Sequence, residues 1–291
     1  MTILSDKSMR PLMREKRKRV WELDFMRGFA VLCMCFDHLM YDFAFLIKDV
    51  FSNVNQVNNS FINKLMELAQ AYWHSAANGV YGFRFWAHYI FVFIFLFLVG
   101  VSCAFSRDNI KRGCQLFLVA LAFTGATFAA RAMGFMQSGV VFGILDCIAL
   151  SILCVAAVDI ATARFKPLNV LAPLVLGVIV CAVGVGKRFW LWGKPFETAF
   201  DASHLFDYII GTRGYGDDWF GLFPYVGAVL LGMYWGRAAY SKRISLLPVS
   251  DGKWNKPFCF VGRHALIFYI VHQVVLAALV VLLCLCLGYR M

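Results

Sequence analysis

The sequence predicts an all-α fold, a polytopic membrane helix bundle of about seven transmembrane helices, with its N-terminus cytoplasmic and its C-terminus outside. Three observations predict it. The 291 residues are 61% hydrophobic and only 15% charged, with a mean hydropathy of +0.68. Soluble domains average about 45–50% apolar and about 25% charged residues. The apolar residues also come in unbroken runs long enough to cross a bilayer as helix. They do not alternate with polar residues as barrel strands would; FVFIFLFLVGV is apolar on every side.

Taken in order, residues 1–19 read as a basic cytoplasmic tail and residues 20–291 as one membrane domain. The tail holds seven cations, from Lys7 to Arg19. It lacks the apolar core and small-residue cleavage site of a signal peptide, which makes the first span, about 22–47, an anchor that is retained. The next spans are read at about 83–105, 113–133, 139–160, 167–186, 219–240 and 260–287. Between them, the segments after spans two, four and six carry Arg107, Lys111 and Arg112, then Arg164 and Lys166, then Arg237, Lys242, Arg243, Lys253 and Lys256. Together with the tail these hold 17 of the 28 Lys and Arg residues. By the positive-inside rule they mark the cytoplasmic side. The net charge of +11 is therefore a topology signal, and nucleic acid is not the expected partner.

Two outer segments, about 48–82 and 187–218, are long. FINKLMELAQAYW in the first has helical apolar spacing, and KRFWLWGKPF in the second is aromatic and basic. Both suit elements lying on the membrane surface. The ten cysteines fall in or beside the spans. Cys33/Cys35 and Cys284/Cys286 lack CxxC spacing, so neither a disulfide framework nor a metal site is expected.

The first span carries the most chemistry. A charged side chain inside a bilayer costs several kcal/mol, roughly 2.5–3.5 on insertion scales, so an intramembrane ionisable cluster signals function. WELDFMRGFAVLCMCFDHLMYDF contains Asp24, Arg27, Asp37, His38 and Asp42. At about 100° per residue, Arg27 and His38 lie about 20° apart around the helix, with Asp24 and Asp42 about 60° to one side. They form one stripe with Asp37 at its margin. Eleven residues separate Arg27 from His38, about 16 Å along the axis. A permanent cation at the mouth and a titratable imidazole deeper in suit an anionic ligand whose reactive end reaches inward.

LDFMRGFAVLCMCFDH resembles the opening motif of the heparan-α-glucosaminide N-acetyltransferase-like membrane family. Its spacing of Arg and His is also similar to that of family-three membrane acyltransferases. Further matching stretches follow in order: FVFIFLFLVGVS, VFGILDCIAL, WFGLFPYVGAVLLG and FVGRHALIFYIVHQ. The resemblance identifies residues 20–291 as a transmembrane acyltransferase-like domain. It implies acetyl transfer from cytosolic acetyl-CoA to an amine or hydroxyl of a sugar or glycan on the far side. Arg27 would hold the donor and His38 would sit at the transfer centre. The lysosomal member of the family has Asn in place of His38 and a functional His nearer its second membrane helix, where this chain offers His74 and His88.

Such a transfer needs a base, an oxyanion stabiliser and a dry, positioned site. His38 is a suitable base, Asp42 at i+4 shares its face, and Asp24 would orient Arg27. For the CoA phosphates the plausible cations are Arg107, Lys111, Arg112, Arg263 and His264, the last two opening the final span where a helix N-terminus favours an anion. His272, with Tyr269 and Gln273, lies at membrane depth beside the expected cavity. Trp73, His74, Trp190, Trp192, Asp217, Asp218 and Trp219 are candidates to meet the acceptor. Ser102 reads as a packing residue, and Asp146 must face the interior. The remaining partner is membrane lipid, a homodimer is compatible, and the short chain suits a bacterial inner membrane. The rival function is a proton-coupled transporter or channel using the same Asp/Arg/His cluster.

Overall fold

A computed structural model describes residues 19–54, 57, 59–74, 82–134, 139–190, 200–216 and 218–290. It is helical, with no strand among the described residues. Helix α1 (Trp21–Tyr41) runs through a π-helical turn, Asp42–Leu46, into the short α2 (Ile47–Val50). Then come α3 (Ser60–His74), α4 (Phe83–Phe105), α5 (Asn109–Ala132), α6 (Ile144–Thr162) and α7 (Lys166–Trp190). The short α8 (Leu205–Ile210), α9 (Leu222–Ala239), α10 (Lys256–Arg263) and α11 (Ala265–Cys286) complete the order.

Six helical stretches are long and apolar enough to cross a membrane: Trp21–Val50, Phe83–Phe105, Asn109–Ala132, Ile144–Thr162, Lys166–Gly184 and Ala265–Cys286. The span expected at 219–240 is not among them. It is the 18-residue α9, whose second residue, Phe223, has extended backbone angles. Contacts at the two ends of the bundle nevertheless run α9 through it from end to end. At one end Trp21 Nε1 donates to the Leu247 carbonyl, Arg243 Nη2 to the Phe105 carbonyl, and Arg237 Nη1 to the Asn169 carbonyl. At the other, Ser52 N donates to the Arg290 carbonyl and Phe220 N to the Phe142 carbonyl, and His88 stacks on Phe220 at 6.1 Å. Following the chain between these pairs gives an odd number of passes, with Trp21 and Arg290 at opposite ends. The first end carries Arg107, Lys111, Arg112, Arg164, Lys166, Lys242 and Lys256, and is termed the basic end.

Helix α9 is enclosed by protein rather than lipid. It packs between α4, α7 and α6. Val229 and Met233 are fully buried with Leu96, Cys147 and Ile152 in the largest core cluster. By contrast α5, α7 and α11 present Leu118, Val178 and Val274 outward, the lipid-facing side of the bundle. Two crossings are set by glycine. A Cβ on Gly100 would meet the Val229 carbonyl oxygen, and one on Gly232 the Phe97 carbonyl oxygen. The same holds between α1 and α10, where Gly28 abuts the Phe258 carbonyl and Gly262 the Asp24 carbonyl. In lipid, where apolar burial drives helix association little, such close backbone approach supplies the packing energy.

The final span begins at Ala265 rather than 260, because the chain breaks at His264, which caps α10 at its C-terminal end. Helix α3 fulfils the periodicity of FINKLMELAQAYW. Asn59 Oδ1 accepts from Phe61 N and Ile62 N to cap its start, and Ile62, Met66 and Ala69 are buried against the π-helical turn. All ten cysteines are free.

Candidate active site

Helices α1 and α10–α11 run parallel, in contact from Trp21 to His272. This brings the polar stripe of α1 against the polar residues of the last span. His38 Nδ1 lies 2.8 Å from Gln273 Oε1, and Gln273 Nε2 donates to Asp42 Oδ1 at 2.9 Å. The amide is oriented by its partners. A carboxylate only accepts, so the NH2 end faces Asp42 and the carbonyl faces His38, which must donate from Nδ1. The neutral imidazole then carries its lone pair on Nε2. The direct His38–Asp42 contact expected from i+4 spacing is not made. The π-helical turn opens at Asp42, and Gln273 from α11 spans the gap.

His272 stands against His38, with ring centroids 4.8 Å apart at 85°. Its Nδ1 lies 2.6 Å from the Tyr269 carbonyl, so it too is an Nδ1 donor. Its Nε2 and Asp42 Oδ2 are buried without a hydrogen-bond partner among the described residues. Unpaired buried polar atoms are costly, and at a site they point to a ligand.

Toward the basic end, Arg27 Nη1 donates to Asp24 Oδ1 at 3.2 Å and Nη2 to Ser102 Oγ at 2.8 Å. The Ser102 hydroxyl in turn donates to the Leu98 carbonyl at 2.9 Å. It therefore fixes the guanidinium, which is more than the packing role expected of it. A guanidinium has five N–H donors, and two are engaged among the described residues. Arg112 Nη1 approaches Cys103 Sγ at 3.8 Å. Arg107 and Lys111 are exposed around the α4–α5 turn, where Asp108 caps α5 through Lys111 N. Arg263 and His264 stand exposed at the junction of α10 and α11. Arg263 Nε donates to the Cys259 carbonyl and His264 Nδ1 lies 2.9 Å from the Phe260 carbonyl, while His264 also stands at the N-cap of α11.

A second polar cluster was not legible in the sequence. Arg84 grips Asp37 with two bonds, Nε to Oδ1 at 3.0 Å and Nη2 to Oδ2 at 3.1 Å. The Tyr72 hydroxyl donates to the same Oδ1 at 2.9 Å, and His88 Nδ1 is 3.7 Å from Oδ2. Burial, with the Asp37 charge beside it, pushes the Tyr72 hydroxyl up from its ordinary range, so it remains a donor. The cluster ties α1, α3 and α4 together at the end opposite the basic one. Asp37 and His88 stood out in the sequence singly; the signal that could have joined them is the cation in FRFWAHYIF at the edge of a span.

Two of the aromatic acceptor candidates are committed to packing. The Arg84 guanidinium lies 3.2 Å over the Trp73 ring, and Tyr41 and Phe45 flank it. Trp219 is buried, with Nε1 donating to the Tyr208 carbonyl at 2.8 Å. Asp146 caps α6 by accepting from Gly143 N. His74 ends α3 and Trp190 ends α7, their side chains lying outside what is described. Asp217 and Trp192 lie outside the described residues.

Comparison with protein families decides the class. The family model described as heparan-alpha-glucosaminide N-acetyltransferase, catalytic, matches residues 59–274. The chain belongs to this acetyltransferase family. The match runs from α3 to just past His272 and Gln273, so Arg27 and His38 join the family portion through the packing of α1 on α4, α10 and α11. Nothing among curated proteins matches the chain, and no solved structure does. The family is one of transferases, which gives the transporter reading no support.

Proposed function

We propose that this multi-pass membrane protein moves an acetyl group from acetyl-CoA, taken at the basic and cytosolic end, to an amine or hydroxyl of a sugar or glycan reaching the site from the other side. The chain Asp42–Gln273–His38 carries this reading, because it leaves His38 with its lone pair on Nε2 at membrane depth. His38 Nε2 takes the proton of the attacking group as the thioester carbonyl is attacked. Asp42, acting through Gln273, holds the tautomer and favours the imidazolium that forms, as a carboxylate does behind a catalytic histidine. Collapse of the tetrahedral intermediate expels the CoA thiolate, which takes that proton back. Amine and thioester thus become amide and thiol. Arg27, held by Asp24 and Ser102, faces the donor, and Arg107, Lys111 and Arg112 supply cations for its phosphates. The cell membrane, in a bacterial host the inner one, is the compartment this topology suits.

The test is transfer from labelled acetyl-CoA to a panel of amino sugars in membranes holding the protein. Wild type is expected to label an acceptor, and His38→Ala to lose about a hundredfold or more of that rate. Arg27→Ala should lose stoichiometric acetyl-CoA binding. Equal labelling by wild type and His38→Ala removes His38 from its role. Solute flux in liposomes without dependence on CoA replaces the enzyme with a transporter.

A further inference from the structure

The segment that follows α9 and runs to the first residue of α10, residues 241–256, has no part in the proposed chemistry, yet it is built in an unusual way. Its backbone is pinned to the start of α1. Glu22 is buried and accepts from both Ser245 Oγ at 2.8 Å and Leu246 N at 2.7 Å. Trp21 Nε1 donates to the Leu247 carbonyl at 3.1 Å. The apolar side chains of this fixed segment face outward: Val249 is 97% exposed, Ile244 63% and Leu247 55%. A loose loop could fold such residues inward, but one held by a buried carboxylate cannot.

Depth along the bundle identifies what covers them. Trp21 is the first residue of the first membrane-crossing helix, so a carbonyl bonded to its indole lies at the membrane boundary. Trp254, 57% exposed, packs edge-on to Phe25 at 5.3 Å and Trp21 at 6.0 Å, the depth at which tryptophan lines a bilayer interface. Lys242, Lys253 and Lys256 are exposed around this apolar surface. Arg243 is turned to the Phe105 carbonyl. The single acid of the segment, Asp251, is engaged by Asn255 Nδ2.

We propose that residues 241–256 are a docking surface for anionic phospholipid, with Leu247, Val249 and Trp254 in the interface and the three lysines on headgroup phosphates. Because the segment is fastened to Trp21 and Glu22, lipid bound there braces the end of α1 on which Arg27 is carried. The inference rests on the membrane topology and does not need the acetyltransferase reading.

The full-length protein, purified and exchanged into mixed lipid, tests it by native mass spectrometry with phosphatidylglycerol against phosphatidylcholine. Wild type is expected to retain phosphatidylglycerol preferentially and to melt higher in its presence. Each of Lys242→Gln, Lys253→Gln and Lys256→Gln should weaken that preference about fivefold. Hydrogen exchange of amides 244–250 should slow in nanodiscs relative to detergent, and Val249→Asp should reverse this. Equal retention of the two lipids by wild type overturns the proposal, as does an unchanged preference in the triple lysine variant. Amides 244–250 exchanging as fast in nanodiscs as in detergent would mean the surface faces water or a protein, which also overturns it. Melting of each variant in phosphatidylcholine alone, expected to match wild type, separates lost lipid from lost folding.

Discussion

Gln273 shows how a neutral residue can organise charged ones. Its amide reads two partners at once, and the acceptor-only character of Asp42 fixes which end faces His38. Gln273→Leu removes this without touching either ionisable group. It leaves His38 free to exchange tautomers and leaves Asp42 buried with no donor. Under the proposed mechanism kcat should fall at least about tenfold, and by no more than the ~10²–10⁴-fold that general acid–base catalysis is worth. KM for acetyl-CoA should hold, because Gln273 lies well away from Arg27. Steady-state rates across donor concentrations check this, and a change confined to KM would reassign Gln273 to donor binding. The stripe Asp24, Arg27, His38 and Asp42 was legible because charge inside a bilayer is costly and therefore conspicuous. Gln273 stood out only as a polar group at membrane depth and Ser102 as a packing residue, because neither carries charge. Their partners lie 231 and 75 residues away, and only tertiary packing brings them together.

At the level of helices, the crossings depend on absent side chains. Gly28 with Gly262 lets α1 and α10 touch backbone to backbone, and Gly100 with Gly232 does the same for α4 and α9. Gly28→Val and Gly232→Val should each lower stability by about 1–3 kcal/mol or more, as over-packing does, because the obstructing atoms are backbone and cannot rotate away. Gly125→Ala in α5 is the contrast: an added Cβ there meets nothing within 4 Å. It should leave the melting temperature unchanged or raise it, since alanine favours helix over glycine by roughly 0.5–1 kcal/mol. Thermal melts of the detergent-solubilised variants compare the three. The apolar runs located the helices within a few residues, because length and hydropathy are local properties. They merged α10 with α11 and treated α9 as an ordinary span. A hydropathy window does not register the break at His264, nor whether a helix faces lipid or its neighbours.

The distribution of cations fixes a property of the molecule as a whole that no single helix shows. The residues grouped by the positive-inside rule, from Arg107 through Arg237 to Lys256, do gather at one end of the bundle. The pairing of Trp21 with Leu247 at that end, and of Ser52 with Arg290 at the other, requires an odd number of passes. Arg27 then lies toward the cationic end, where Ser102 holds it, and the Asp37–Arg84 clasp toward the far one. Under the proposed function, donor and acceptor would come from separate compartments. It depends on α9 crossing, which its modest apolarity alone would not establish. Reporters fused after Arg290 decide it: alkaline phosphatase should be active and green fluorescent protein dark, while the same reporters after Asp108 should give the reverse. A cytosolic reporter after Arg290 would leave six crossings and put both ends of the bundle's chain on one side. A donor and an acceptor drawn from opposite compartments would then lose their structural basis, even if transfer itself were observed.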